Sequence, residues 1–309
     1  MDKHWVATEF GSGIDSLEFQ EFEVPPPRPD EVTISVRAVS INRFDTKVLD
    51  VLDDADLLPY PLGVEAAGIV TAIGSEVPAG THVLGDEVLT FRARGAYATK
   101  INVRAKDAYA KPKNLSFAEA AGLLLVGTTA AEMLHRVAPE AGETVLLHGA
   151  SGALGESLLQ QATRLGLKVI GTSSERHFEN VRRYGGTPVA YGWGLSERLR
   201  EAAPEGIDIA LDAAGTQEAI DTSLEFVLDR RRILTVVRGD LAKKYDFQYI
   251  DGSGEGRKYR DAVSRELIAA AASGTLEVAI ARTFGLSEAR VALEYIADGK
   301  AGGKIVLLT

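Results

Sequence analysis

The chain has no cysteine and only two methionines and two tryptophans in 309 residues. Without a thiol there is no disulfide, no thiolate metal ligand and no thiol nucleophile. Positive charge is also scarce: 34 lysines and arginines stand against 44 aspartates and glutamates, a net charge of −10. That balance excludes broad electrostatic binding to nucleic acid or an acidic membrane, and leaves room for a local basic pocket that holds a phosphate. No apolar run is long enough to span a bilayer, and the opening MDKHWVATEF lacks the apolar centre of a secretory signal, so a cytoplasmic protein is expected. The five histidines (His4, His82, His135, His148, His177) are scattered and match no ligand spacing. Internal repeats and low-complexity tracts are absent too.

What is present is organised around residues 144–172, TVLLHGASGALGESLLQQATRLGLKVIGT. Residues 144–148 form a short apolar run, as a strand buried on both faces requires. Gly149, Gly152 and Gly155 follow, and then Leu154, Leu158, Ala162 and Leu165 recur at a helical period, with Gly166 placed to end the helix. Residues 167–171 are a second buried run. Strand, glycine turn, helix and strand make a βαβ unit with a dinucleotide fingerprint in its first turn. A side chain at Gly152 would stand where a pyrophosphate meets the amides of the helix N-terminus, and Gly155 lets the helix lie close to the strand. Ala153 fills a slot that G-x-G-x-x-G keeps for glycine.

Residues 1–110 read as short strands broken by Gly, Pro and Asp, which suggests a small barrel or sandwich. Val32, Ile34, Val36 and Ala38 alternate with Thr33, Ser35 and Arg37 as in a half-buried strand. Residues 50–56 hold four aspartates, read as a solvated acidic loop because a calcium loop's glycine and distal glutamate are missing. Ser116 and Glu119 form a capping box. Helices are expected over 128–137, 175–184, 218–228, 257–272 and 287–297, with strands over 207–212, 233–237 and 304–308. Residues 247–250 (FQYI) read as an edge strand. Strands alternating with helices predict a parallel, doubly wound sheet.

Several segments then point to one family. SINRFDTKVL (40–49), PLGVEAAGIVTAIGSEV (61–77), GDEVLTFRARGAYA (85–98), LSFAEAAGLLLVGTTAAEML (115–134), VLLHGASGALGE (145–156) and GKIVLL (303–308) occur in the order of the zinc-free, zeta-crystallin-like quinone oxidoreductases of the medium-chain dehydrogenase/reductase superfamily. The resemblance implies an α/β fold: a GroES-like β-barrel catalytic domain over 1–118, completed by 273–309, and a Rossmann domain over 119–272. It also implies a homodimer that pairs edge strands such as 247–250.

Zinc-dependent members carry G-H-E-x-x-G; here the turn is Gly63-Val64-Glu65-Ala66-Ala67-Gly68, and valine cannot ligate a metal. No metal is therefore expected, and reduction of an already electrophilic acceptor is the chemistry left easy. Dinucleotide contacts are expected from Gly149, Ala150, Ser151, Gly152, Ala153, Leu154 and Gly155. The second strand ends Thr172-Ser173-Ser174-Glu175-Arg176. Hydroxyls followed by arginine suit a 2′-phosphate, so NADPH is expected, while an inward-turned Glu175 would favour NADH. Ser173 and Ser174 equally suit helix capping. By resemblance, Ala214, Val237 and Lys304 also touch the cofactor.

The resemblance places the catalytic candidates at Asn42, Asp45 and Thr129, with Glu65 beside them. Asn42 is also a plausible turn residue, and Thr129 a plausible helix cap. Where relatives often carry a tyrosine this chain has Lys47, so water is the expected proton source, and Tyr60 and Tyr97 read as structural. The expected activity is NADPH-dependent hydride transfer to a quinone or related conjugated carbonyl acceptor. The alternative is an enone or alkenal double-bond reductase; a crystallin-like structural or RNA-binding role is the reading from a different class.

Overall fold

The computed structural model describes residues 1–252, 254–299 and 301–309, Glu255 by its backbone alone. The chain forms two compact units, residues 1–125 with 268–309, and residues 126–267.

The second unit holds a six-stranded parallel sheet. Its order is Thr187–Ala190, Lys168–Ser173, Thr144–His148, Ile209–Asp212, Ile233–Thr235, Gln248–Tyr249. Numbered along the chain this is 3-2-1-4-5-6, the Rossmann order. All five residues of Thr144–His148 are buried. Val145 and Leu147 join one core and Leu146 the other, so the sheet is covered on both faces. Helices Leu124–Val137 and Ala153–Arg164 supply the first core, and Leu195–Ala202 and Gln217–Phe226 the second.

Four local expectations need correction. Leu165 is 51% exposed, because the helix ends at Arg164, and Leu159 takes an inner position instead. The expected 175–184 helix is a 3-10 turn, Glu175–His177, followed by Phe178–Arg183. The fifth strand stops at Thr235, because the Thr235 hydroxyl accepts from the amides of Val237 and Arg238 and bends the chain away. The edge strand is only Gln248–Tyr249; Phe247 and Ile250 turn into the cores.

The first unit carries a seven-stranded sheet in the order Ile280–Gly285, Lys304–Leu308, Glu31–Ile41, Glu65–Ile73, Glu87–Phe91, Ala108–Ala110, with Lys100–Arg104 pairing Glu31–Ile41. A three-stranded sheet, Leu17–Phe22, Asp2–Ala7 and Tyr60–Pro61, shares its core. Burial alternates only over residues 34–37 of Glu31–Ile41; Thr33 is buried between Val32 and Ile34, against the expected alternation, and Ala38 to Ile41 are all buried. There the strand lies between Lys304–Leu308 and Glu65–Ile73, and helix Phe117–Ala121 packs on it. That helix opens with the capping box: Ser116 Oγ accepts from the Glu119 amide, and Glu119 accepts from the Ser116 amide. Among the described residues, no helix is long and apolar enough to cross a membrane.

Candidate active site

In the first unit, polar side chains meet where three buried segments end. Strand Glu31–Ile41 gives way at Asn42 to helix Arg43–Val51. Strand Glu65–Ile73 begins at Glu65, and the last strand begins at Lys304. The side chains of Glu65 and Lys304 are 1% and 3% exposed, and Lys304 Nζ lies 3.0 Å from Glu65 Oε1. Asn42 joins them, donating Nδ2 to Glu65 Oε1 at 3.0 Å and accepting from Lys304 Nζ at Oδ1 over 2.5 Å. Because an ammonium only donates, this contact fixes which way the Asn42 amide faces. Glu65 Oε2 accepts from the Leu125 amide at 2.9 Å. Two buried charges thus have both a partner and hydrogen bonds, the condition under which such a pair survives burial. Gly122 makes room for it: a Cβ there would sit 2.9 Å from Lys304 Cγ.

Asp45 forms the other half. Its Oδ2 accepts from the Asn42 amide at 2.8 Å and from the Tyr97 hydroxyl at 3.0 Å. Asp45 Oδ1 is buried with no partner among the described residues. Burial pushes its pKa up to about 7 against the two hydrogen bonds, and the nearby Glu65 charge pushes the same way. Tyr97, buried and beside Asp45, is raised well above the ordinary phenol value, so it stays a donor. Asn42 is therefore held twice, through its backbone by Asp45 and through its amide by Glu65 and Lys304. It is both a helix N-cap and a member of the polar cluster, which reconciles the two readings of that residue.

In the second unit, Gly149 adopts φ +77°, with the backbone of Ala213 and Ala214 3.2 Å from where its Cβ would be. A Cβ on Gly155 would lie 2.2 Å from Gly149 O, so that glycine serves close packing. Gly152 is different. It is the N-cap of helix Ala153–Arg164, and its Cβ would meet only Gly149 O, at 3.5 Å. Open space lies at a helix start whose first amides have no carbonyl below them, the arrangement that accepts a phosphate.

The carboxyl ends of the neighbouring strands are laced together. Asp212 Oδ1 accepts from the amides of Ala214 and Gly215, and its Oδ2 accepts from Thr235 Oγ1 at 2.6 Å. Asp212 and Thr235 thereby place Ala214 and Val237 on adjacent loops. His148 bridges Thr172 Oγ1 at 3.2 Å and Thr222 Oγ1 at 3.3 Å, and burial lowers its pKa to about 3, which keeps the ring neutral. In the sequence Asp212, Thr235 and His148 carry no motif. Their only signal is a polar residue at the end of an apolar run.

Thr172 turns its hydroxyl to His148, and the Ser173 hydroxyl donates to Ser174 O. Ser174 starts the 3-10 turn without a side-chain cap, and Arg176 is exposed, its Nε 3.1 Å from His177 Nε2. Thr129 lies in the interior of helix Leu124–Val137, so the capping alternative falls. The structure brings Asn42, Asp45, Glu65, Tyr97 and Lys304 together in one unit. Thr129 and the turn at Gly149 belong to the other.

Comparison with known proteins bears on both units. The Alcohol dehydrogenase GroES-like domain matches residues 28–134, and the Zinc-binding dehydrogenase family matches 178–307. The 2-haloacrylate reductase of a Burkholderia species is 30% identical over 334 residues, covering 96% of each chain. The chain belongs to the quinone oxidoreductase branch of the medium-chain dehydrogenase/reductase superfamily. Pig quinone oxidoreductase is 31% identical over 212 residues, which span 66% of this chain and 64% of that relative. The crystal structure of Escherichia coli quinone oxidoreductase complexed with NADPH superposes with a TM-score of 0.85 at 27% identity, covering all of both chains. This is an oxidoreductase family with a GroES-like domain and an NADP-binding Rossmann sheet.

Proposed function

We propose that the chain is an NADPH-dependent oxidoreductase that transfers hydride to a quinone or related conjugated carbonyl compound without zinc. The observation that carries this is the open helix start at Gly152, in a sheet of Rossmann order within a family that includes an NADPH complex. The residues present fit the cofactor. Gly149, Ala150, Ser151, Gly152, Ala153, Leu154 and Gly155 would hold the pyrophosphate through backbone amides. Ser174 and Arg176 would meet the 2′-phosphate, with Thr172 and Ser173 shaping the strand end. Ala214, Val237 and Lys304 would contact the remainder.

Bound NADPH supplies the hydride, and the protein supplies orientation and exclusion of water. In the first unit Asn42, its amide clamped by Glu65 and Lys304 and its backbone by Asp45, is the catalytic candidate with Asp45 beside it; in the second, Thr129 would position the carboxamide. The acceptor takes up the hydride at its electrophilic atom, its π pair moves onto the conjugated oxygen, and water delivers the proton. Zinc independence is supported by Val64, by the absence of cysteine, and by Glu65, whose oxygens are occupied by Lys304, Asn42 and the Leu125 amide. The same reading includes a cytoplasmic homodimer that binds neither nucleic acid nor membrane.

Double-bond reduction is the second reading, favoured by similarity to the Burkholderia 2-haloacrylate reductase. NADPH oxidation with 9,10-phenanthrenequinone, compared with an alkenal, tests the two together. Quinone turnover supports the first, alkenal turnover alone the second, and turnover of neither, a non-enzymatic role.

A further inference from the structure

Residues 92–97 form a short loop tied closely to the turn before Glu65. Ala93 N donates to Val64 O at 2.9 Å, and Gly95 N and Ala96 N both donate to Gly63 O at 3.1 Å. Two glycines allow this approach. A Cβ on Gly63 would lie 2.3 Å from the Tyr97 ring, and one on Gly95 would lie 2.9 Å from Pro61 Cβ. Arg92 takes φ +62°, a conformation a non-glycine keeps only where its surroundings dictate it. The loop is therefore a fixed platform, one strand end away from the Asn42, Glu65 and Lys304 cluster.

That platform carries Arg94. Its guanidinium lies over the Tyr60 ring, 5.5 Å from the centroid, and that ring also meets Phe10 edge-on at 5.8 Å. Arg94 is exposed, and among the described residues it forms no hydrogen bond and no ion pair, in a chain with ten more acidic than basic groups. A guanidinium laid on an aromatic face keeps its N–H edge free and preorganised, the geometry that receives a carboxylate in two parallel hydrogen bonds. Tyr60 also links the inside to the outside, since its hydroxyl feels both the Arg94 and the Asp45 charges.

We propose that Arg94, stacked on Tyr60, reads an anionic group on the acceptor, so that the preferred acceptors are conjugated carbonyl compounds bearing a carboxylate. This rests on the reading that the chain reduces such acceptors, and it adds a charge to them. The carboxylate rests on Arg94, and the neutral, reducible end extends toward Asn42.

A matched pair tests it: 4-oxopent-2-enoate and its methyl ester, which share the enone and differ in the charge. With NADPH, the acid should exceed the ester in kcat/KM. Arg94→Ala should lower kcat/KM for the acid about 10–100-fold, mostly through KM, and Arg94→Lys should restore part of it. The ester and 9,10-phenanthrenequinone should each change less than about threefold, the scatter expected away from the charged contact. Equal turnover of acid and ester by the parent, or equal losses in Arg94→Ala, overturns the proposal while leaving the reductase reading intact. Turnover of no acceptor overturns the reductase reading. Calorimetric binding of the saturated acid, 4-oxopentanoate, then decides for Arg94: binding to the parent above that of its methyl ester, lost in Arg94→Ala, supports the proposal, and equal binding overturns it.

Discussion

Lys304 and Glu65 are buried so fully that neither charge tolerates loss of the other. Lys304→Met should lower folding stability by about 3–5 kcal/mol, because it strands the Glu65 carboxylate. Glu65→Gln/Lys304→Met should recover most of that loss. Denaturant melts of the two singles and the double give the coupling, and additive effects would show that the pair is not a unit. Asp45 behaves differently because its partner set is incomplete. Its carboxyl is raised from 3.8 to about 7, so the folded chain binds this proton more tightly than the unfolded one. That contribution is complete below the unfolded value and is lost as pH rises through the folded one. Parent stability relative to Asp45→Asn should therefore fall between about pH 4 and about pH 7. Parallel pH profiles for the two proteins would contradict the assignment. Further out, Arg176→Ala should weaken NADPH by about 1.5–3 kcal/mol and leave NADH nearly unchanged, checked by fluorescence titration.

The turn from Gly149 to Gly155 separates packing from binding within one element. Gly155→Ala should destabilise the fold, since its Cβ would sit 2.2 Å from Gly149 O. Gly152→Val should melt near the parent yet lose NADPH, because the open space at the helix start is where the branched carbons go. Ala153→Gly should cost about 0.4–1 kcal/mol through unfolded-chain entropy. A folded Gly152→Val that binds NADPH like the parent would remove the turn from the site. This element was legible in the sequence because apolar period and glycine spacing are local properties. Its end was legible too, since Gly166, at φ +76°, marks the stop; only Leu165, which fits the helical period, falls past the last helical residue.

Across the whole molecule, the alternation of strands and helices was enough to expect a parallel sheet, and the family segments to expect the barrel. The polar cluster was visible only as separate candidates. Asn42, Asp45 and Glu65 could be named from their segments, but Lys304 stands 239 residues beyond Glu65, and no periodicity brings them together. His148 and Asp212 acquire meaning only from neighbours across the sheet, His148 pairing Asp212 in register. The edge strand shows the opposite limit: FQYI reads as four strand residues, while burial of Phe247 and Ile250 leaves two paired. If that edge still pairs two copies, light scattering at micromolar concentration gives a dimer, and a monomer counts against it. The central claim is metal-free hydride transfer from NADPH, and one assay addresses it: oxidation of NADPH by 9,10-phenanthrenequinone in chelator, on protein whose zinc content has been measured. The account predicts turnover unchanged by chelator with no stoichiometric zinc; bound zinc whose removal abolishes turnover would contradict it.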